Sequence, residues 1–270
     1  MDKKNKSYFS GCYFKFVTKN NKFSFAIILS SMDGKWTKQL ITKDDSYIIK
    51  DDCAIKFVDD KTLNFNIDEQ GLTMKGVIKM GLYIPPKKDV MGPYRHFKME
   101  CKHKIISLYH SLSGKIVVNN KPISFDGGRG YIEGDEGYSF PSEYIWYNSI
   151  YEDATITLAI ATIPFGLIKF TGLLCVIRAG DKQYNLSTYN GAKIKEYSRK
   201  GLLIKKGSYA LKLDYDIPSS PSLLAPTPAG MNRKIKEGLA IKSSYVFKKG
   251  KNVILIGNDD VSSLEYMMRK

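Results

Sequence analysis

Short runs in which apolar and polar residues alternate, separated by Gly, Asn, Asp and Pro, recur along this chain about every 8–12 residues. Alternation at period two puts every second side chain on one face. Each run therefore reads as a strand with a buried side, and many such runs at this spacing build a sandwich or a barrel. The first two runs, in YFSGCYFKFVTKNNKFSFAIILSS, are joined by a turn at residues 19–22, where Asn20 and Asn21 tolerate left-handed backbone. Further strands are expected at residues 36–40, 46–50, 53–59, 63–67 and 72–80. IPPKKDVMGPYRHF follows, too rich in proline for a central strand or a helix interior. Residues 99–108 and 115–119 read as two more strands, and the pattern continues at 170–178, 183–189, 192–197, 201–205, 209–215, 242–247 and 253–256. Only 232–239 and 262–268 carry a pattern that could be helical. The 18 Tyr and 13 Phe, with many Ile, Val and Thr, agree with β-structure.

Residues 155–177 carry one charge, Lys169, over a length of about 20 residues that could cross a bilayer. Pro164, Phe165 and Gly166 break the run, and Ile156, Leu158 and Ile160 alternate with Thr155 and Thr157, so it reads as two buried strands around a turn.

Two internal echoes point to a duplication. When Tyr13, Phe23, Phe25 and Ala26 are set beside Trp146, Ile156, Leu158 and Ala159, 133 residues on, two hairpins coincide. Ile84, Pro86 and Met91 match Leu224, Pro226 and Met231, 140 residues on. Displacements close to half of a 270-residue chain imply one β unit made twice. The expected division is into residues 1–125 and 126–270, with the linker near Asp126.

The densest chemistry lies in SFDGGRGYIEGDEGYSFPSEYIWYNSI, residues 124–150, where five glycines stand among aromatic residues and the acids Glu133, Asp135 and Glu136. Glycines at this spacing mark bulges or corners in strands. Tyr131, Glu133 and Asp135 would share one face of an extended segment, and Ile132 and Glu136 the other. A carboxyl group among aromatic rings is a candidate acid, while a solvated loop capped by glycine turns accounts equally for the same string. Glu100 would need a partner if its strand buries it; among Lys98, Lys102 and Lys104 it also reads as a solvent-facing acid.

Other classes find less support. The net charge of +15 suits nucleic acid or an anionic membrane surface, yet the basic residues are spread along the chain and only six of the 42 are Arg. No nucleic-acid-binding fingerprint is present, so no nucleic-acid partner is expected, and the charge reads as a basic coat that allows peripheral membrane contact. Cys12, Cys53, Cys101 and Cys175 have no paired spacing and read as free, mostly buried thiols. MDKKNKSYFS lacks the apolar run of a signal peptide, so a cytoplasmic protein is expected. His96, Cys101, His103 and His110 fit no standard zinc spacing, and neither metal nor cofactor is expected.

Read in order, YFSGCYFKF, MGPYRHFKMECKHKIISLYHSLSG, FDGGRGYIEGDEGYSFPSEYIWYNS, ATIPF with FTG, LSTYNGAKI and LLAPTPAGM resemble the tocopherol cyclase-like family. The resemblance runs over nearly the whole chain from Tyr8, and its Gly-Tyr-Ile-Glu and Ser-Phe-Pro elements are the most specific. It implies an all-β protein of two tandem lipocalin-like β-barrel or sandwich domains enclosing a hydrophobic ligand, a prenylated quinol in the plant and cyanobacterial members. By that resemblance the chain would cyclise or isomerise an isoprenoid-like molecule by acid catalysis. Glu133 is then the acid, with Asp135 as second choice, and Tyr13, Phe14, Tyr131, Phe140, Tyr144, Trp146, Glu100 and His110 form the ligand-binding wall. A non-catalytic carrier built on the same cavity is the alternative. Cys12 and Glu136 stand where members of the family usually have Trp, and Ser10 where they usually have an acid.

Overall fold

The computed structural model describes residues 7–165, 168–217 and 220–268. The first six residues of the N-terminal segment, and Gly166 of the Pro-Phe-Gly turn, lie outside them. The chain is all-β. Its first ten strands are β1 (Phe9–Val17), β2 (Ser24–Met32), β3 (Lys35–Thr42), β4 (Ser46–Ile49), β5 (Ile55–Asp59), β6 (Thr62–Glu69), β7 (Leu72–Met80), β8 (Cys101–Val118), β9 (Lys121–Ser124) and β10 (Gly128–Gly137). Ten more follow: β11 (Tyr144–Ile150), β12 (Ala154–Phe165), β13 (Ile168–Ala179), β14 (Lys182–Asn185), β15 (Lys193–Ser198), β16 (Gly201–Lys206), β17 (Tyr209–Tyr215), β18 (Ser222–Thr227), β19 (Gly230–Lys249) and β20 (Asn252–Tyr266).

These strands form two antiparallel sheets with one plan. The first runs β4-β3-β2-β1-β10-β8-β7-β6-β5 and the second β14-β13-β12-β11-β20-β19-β17-β16-β15, with β9 paired to β8 and β18 to β19. Register repeats as well as order: Tyr13 lies opposite Glu133 in the first sheet, and Trp146 lies opposite Glu265 in the second. The duplication expected from the hairpin echo is thus a duplication of topology. The passage from one sheet to the other falls between Gly137 and Tyr144, beyond the division expected after residue 125, because β10 pairs with β1 and β8.

Each sheet curls around its own packed core. Phe16, Phe25, Phe65 and Phe125 centre the first, with the Phe16 and Phe25 rings stacked at 4.7 Å. Tyr147, Ile156, Leu211 and Phe247 centre the second. Among the described residues each curl is packed with its own side chains, and the cavity described below lies between the sheets, not inside either curl. A third apolar layer, with Tyr13, Val17, Ala26 and Ile41 from the first sheet and Trp146, Ile150, Val176 and Leu239 from the second, joins the two sheets. Strands that serve two layers must be apolar on both faces. In β1, Phe14 and Phe16 enter the first core while Tyr13 and Val17 face the second sheet; in β11, Ile145 and Tyr147 enter the second core while Tyr144 and Trp146 face the first.

The proline-rich crossings that echo each other clamp this junction. Gln39 of β3 bonds both Leu224 O (2.9 Å) and Leu224 N (2.7 Å) at the second crossing. Gln183 of β14 bonds Pro85 O (3.1 Å) and Lys87 N (2.7 Å) at the first. Each half thus lays its crossing over the sheet of the other.

Three local expectations are corrected. Residues 101–118 form one strand, not two; at Gly114, φ is +112° and an added Cβ would lie 2.3 Å from Val77 O, so glycine carries β8 through the apparent break. Residues 232–239 lie within β19 and 262–268 largely within β20, not in helices. Their Lys and Glu mimic a helical composition, but strand pairing with tertiary burial overrides that propensity.

Candidate active site between the sheets

A cavity of about 200 Å³ opens between the two sheets. Its walls are mainly apolar, with Phe9, Ile28, Met91, Leu173, Leu223 and Ile235 among them; His103, Glu133, Asp135, Glu237 and Glu265 also line it, and the exposed Lys98 and Glu100 stand at its rim.

Glu133 sits on β10 and is buried at 5% exposure. Its Oε2 accepts hydrogen bonds from Tyr131 Oη (2.6 Å) and Trp146 Nε1 (3.0 Å), and His103 Nε2 lies 3.6 Å from the same atom. Tyr131 in turn contacts Thr157 Oγ1 at 3.0 Å, which ties the acid to the second sheet. Burial pushes the Glu133 carboxyl up to about 7, with the nearby Asp135 adding to the rise; His103 and the two hydrogen bonds oppose it. His103 Nδ1 is 3.0 Å from Asp135 Oδ1. Burial works to lower the imidazole, but the fields of Glu133 and Asp135 outweigh it and hold His103 at about 9, so it is an imidazolium at neutral pH.

On the opposite strands, Tyr13 Oη donates to Glu237 Oε1 at 2.5 Å, and Tyr144 Oη donates to Glu265 Oε2. Burial raises Glu237 to about 7 and Glu265 well above the usual carboxylate range, the latter helped by the charge of Glu237. Trp146 packs edge-on against Tyr13 at 5.3 Å.

The structure brings together Glu133, Asp135, Tyr13, Phe140, Tyr144 and Trp146 on the cavity wall and places the exposed Glu100 at its rim. Tyr131 stands behind Glu133 as its hydrogen-bond donor and does not line the cavity. Phe14 does not belong to the wall: strand alternation turns it away from its neighbour Tyr13 and into the first core. His110 does not either. Its ring packs over Gly130, where an added Cβ would lie 2.2 Å from His110 Nε2, and its Nδ1 contacts Ser107 Oγ at 3.0 Å. Burial lowers it to about 3, so it stays neutral.

The sequence reading missed His103, Glu237 and Glu265 as site residues. Glu237 and Glu265 sit in the two segments read as helices; read as strands, each would have been an acid alternating with buried residues, a pattern that asks for a partner. The four cysteines are free as expected, but only Cys175 is fully buried.

His103, Glu133 and Asp135 offer donor atoms within 4.8 Å of one another and could take a divalent cation. As they stand, the imidazolium is shared between the two carboxyl groups.

Stability should therefore depend on pH in an unusual direction. Glu133 and Glu237 bind their protons more tightly folded than unfolded, so their contributions are full below the ordinary carboxylate value and are lost as pH rises to about 7. His103 contributes below its ordinary value and loses that as pH rises to about 9. His110 acts oppositely, but only below about 6.5, and Lys15, lowered by burial to about 8, acts oppositely only above that. Thermal unfolding followed by circular dichroism should give a melting temperature that falls steadily between about pH 6.5 and 8, the change in stability reaching at most about 1.4 kcal/mol per pH unit for each group titrating. A flat or rising profile would contradict these assignments.

Solved structures share this architecture. Kievitone hydratase from Nectria haematococca matches with a TM-score of 0.54 at 12% identity, over 98% of this chain and 90% of that one. CghA with Sch210972 matches at 0.55 and 8%, over 97% and 89%. A provisionally named AttH of Nitrosomonas europaea matches at 0.53 and 9%, over 100% and 95%. At such identities the likeness is one of fold. No family model matches the chain, and no curated protein matches it significantly.

Proposed function

We propose that this protein binds a hydrophobic or amphiphilic small molecule in the cavity between its sheets and that Glu133 acts on it as an acid. The observation that carries the reading is a carboxyl group held up to about 7 by burial, on the wall of an apolar cavity. A general acid works best with a pKa near the working pH, and this group has one. Three contacts converge on its Oε2, which leaves Oε1 to carry the proton toward a bound molecule.

The step is proton transfer from Glu133 to an alkene carbon: a C–H bond forms, the π bond breaks, and the charge moves to the neighbouring carbon. The Trp146 ring on the cavity wall stabilises that cation, and the Glu237–Glu265 side of the cavity adds negative potential. Capture by a hydroxyl oxygen of the same molecule gives cyclisation, and loss of a different carbon-bound proton gives isomerisation; in either case the released proton returns to the Glu133 carboxylate and resets the acid. The resemblance of the GYIEG and SFP elements to tocopherol cyclase-like proteins favours an isoprenoid or prenylquinol-like substrate. One fold neighbour is named a hydratase, and adding water to an alkene begins with the same protonation.

Native mass spectrometry of protein purified from its own host tests the binding half of the proposal. The expected result is a released apolar molecule at close to one per chain, absent from a Trp146→Arg variant that fills the cavity with charge. Protein that is always free of ligand, and whose Trp fluorescence does not respond to any isoprenoid alcohol or quinol, would overturn it.

A further inference from the structure

Glu237 and Glu265 lie directly opposite each other on β19 and β20. Residues so placed in an antiparallel pair have Cβ atoms about 4.5–5.5 Å apart. Both line the cavity, at 0% and 9% exposure. Each has one oxygen held by a tyrosine hydroxyl, Tyr13 on Glu237 Oε1 and Tyr144 on Glu265 Oε2. Glu237 Oε2 is buried with no hydrogen-bond partner.

Two carboxyl groups this close in apolar surroundings resist ionising together, so the pair keeps a proton and carries one negative charge near neutral pH. It differs from Glu133 in what it lacks. Glu133 has two donors and an imidazolium beside it, whereas Glu237 has a single hydroxyl on one oxygen and no hydrogen bond on the other; the buried Lys15 ammonium favours its charged form from a distance but is directed to Asn148. A buried carboxylate oxygen without a donor has lost its hydrating water with nothing in return. A ligand that brings a donor to this point removes the cost, and a purely apolar ligand does not.

We propose that the Glu237–Glu265 pair is a recognition subsite that accepts a hydrogen bond from a hydroxyl or ammonium group on an otherwise apolar molecule, and so fixes which end of that molecule reaches Glu133. The inference rests on the cavity being a ligand site, as above, and adds the polar feature its ligand must carry. It makes the pair a positioning element, with Tyr13 and Tyr144 setting the direction of its free oxygens.

Isothermal titration calorimetry with decan-1-ol, decyl methyl ether and decylamine tests it, since the three share a decyl chain and carry a hydroxyl donor, no donor and an ammonium donor respectively. Wild-type protein should bind the alcohol or the amine about 10- to 100-fold more tightly than the ether, the range of a hydrogen bond to a charged acceptor. Glu237→Met should bring that ratio close to one while the ether binds as before, which also shows the cavity is intact. Glu237→Gln, which keeps a neutral acceptor, should give an intermediate ratio. An amine preference that grows from pH 6 to 8 assigns the donor as ammonium, and a pH-independent alcohol preference assigns it as hydroxyl. Equal binding of all three probes to wild type, or a preference that survives Glu237→Met, overturns the subsite while leaving the cavity standing. No binding of any probe overturns the cavity reading and the subsite with it.

Discussion

Glu133→Gln is expected to lower turnover of the protein's own substrate by about 10²- to 10⁴-fold, the usual contribution of a positioned general acid. Gln has nearly the same shape and keeps an oxygen to accept from Tyr131 and Trp146, so the hydrogen bonds at Oε2 survive. It has no acidic proton to give. Ligand affinity should therefore hold within a few fold while kcat falls, which separates an acid from a wall residue. Retained turnover would remove Glu133 from the chemistry and leave a carrier with a buried carboxyl group. The variant should also fold, because it removes a group that is costly to ionise where it stands, and its unfolding should lose part of the pH dependence described above.

The second large effect is at Trp146. Trp146→Ala should cost about 3–5 kcal/mol of stability in denaturant unfolding, the range for deleting a buried large aromatic side chain. The residue is 6% exposed, meets Tyr13 edge-on and belongs to the apolar layer that joins the sheets, so the loss falls on the junction and not on either core. Trp146→Phe separates packing from chemistry. It keeps an aromatic face but loses the Nε1 donor to Glu133, one of the two hydrogen bonds that lower that carboxyl group. The Glu133 pKa should rise further in Trp146→Phe, and the alkaline limb in the pH profile of turnover, where the acid loses its proton, should move up with it. A profile identical to wild type would mean that the indole does not tune the acid.

Much of this architecture was legible from the residues because it follows from local rules. Period-two alternation located nearly every strand, and the match of Tyr13 to Trp146 fell on two residues that occupy equivalent register positions opposite Glu133 and Glu265. What escaped was whatever depends on two sheets meeting. Alternation says that Tyr13 and Phe14 face opposite ways, but not which way is the cavity; the answer depends on each curl being filled by its own phenylalanines. His103 gains its importance from β8 lying beside β10, a non-local pairing that brings it to Glu133 and Asp135. Glu237 and Glu265 were hidden by helix-forming neighbours in Asn232–Leu239 and Ser262–Met268, where propensity and tertiary burial disagree. That conflict between local and global preference is itself a mark of a functional position.

Everything proposed for Glu133 depends on its holding a proton well above the ordinary carboxylate range, so that a large share of it is still protonated near pH 7. Carboxyl ¹³C NMR of glutamate-labelled protein, with the resonance assigned by its absence in Glu133→Gln, measures that without knowledge of the substrate. The account predicts a carboxyl group that titrates with an apparent midpoint near 7. A midpoint at the ordinary carboxylate value would mean that Glu133 is already ionised when the ligand arrives, and would contradict its role as the acid.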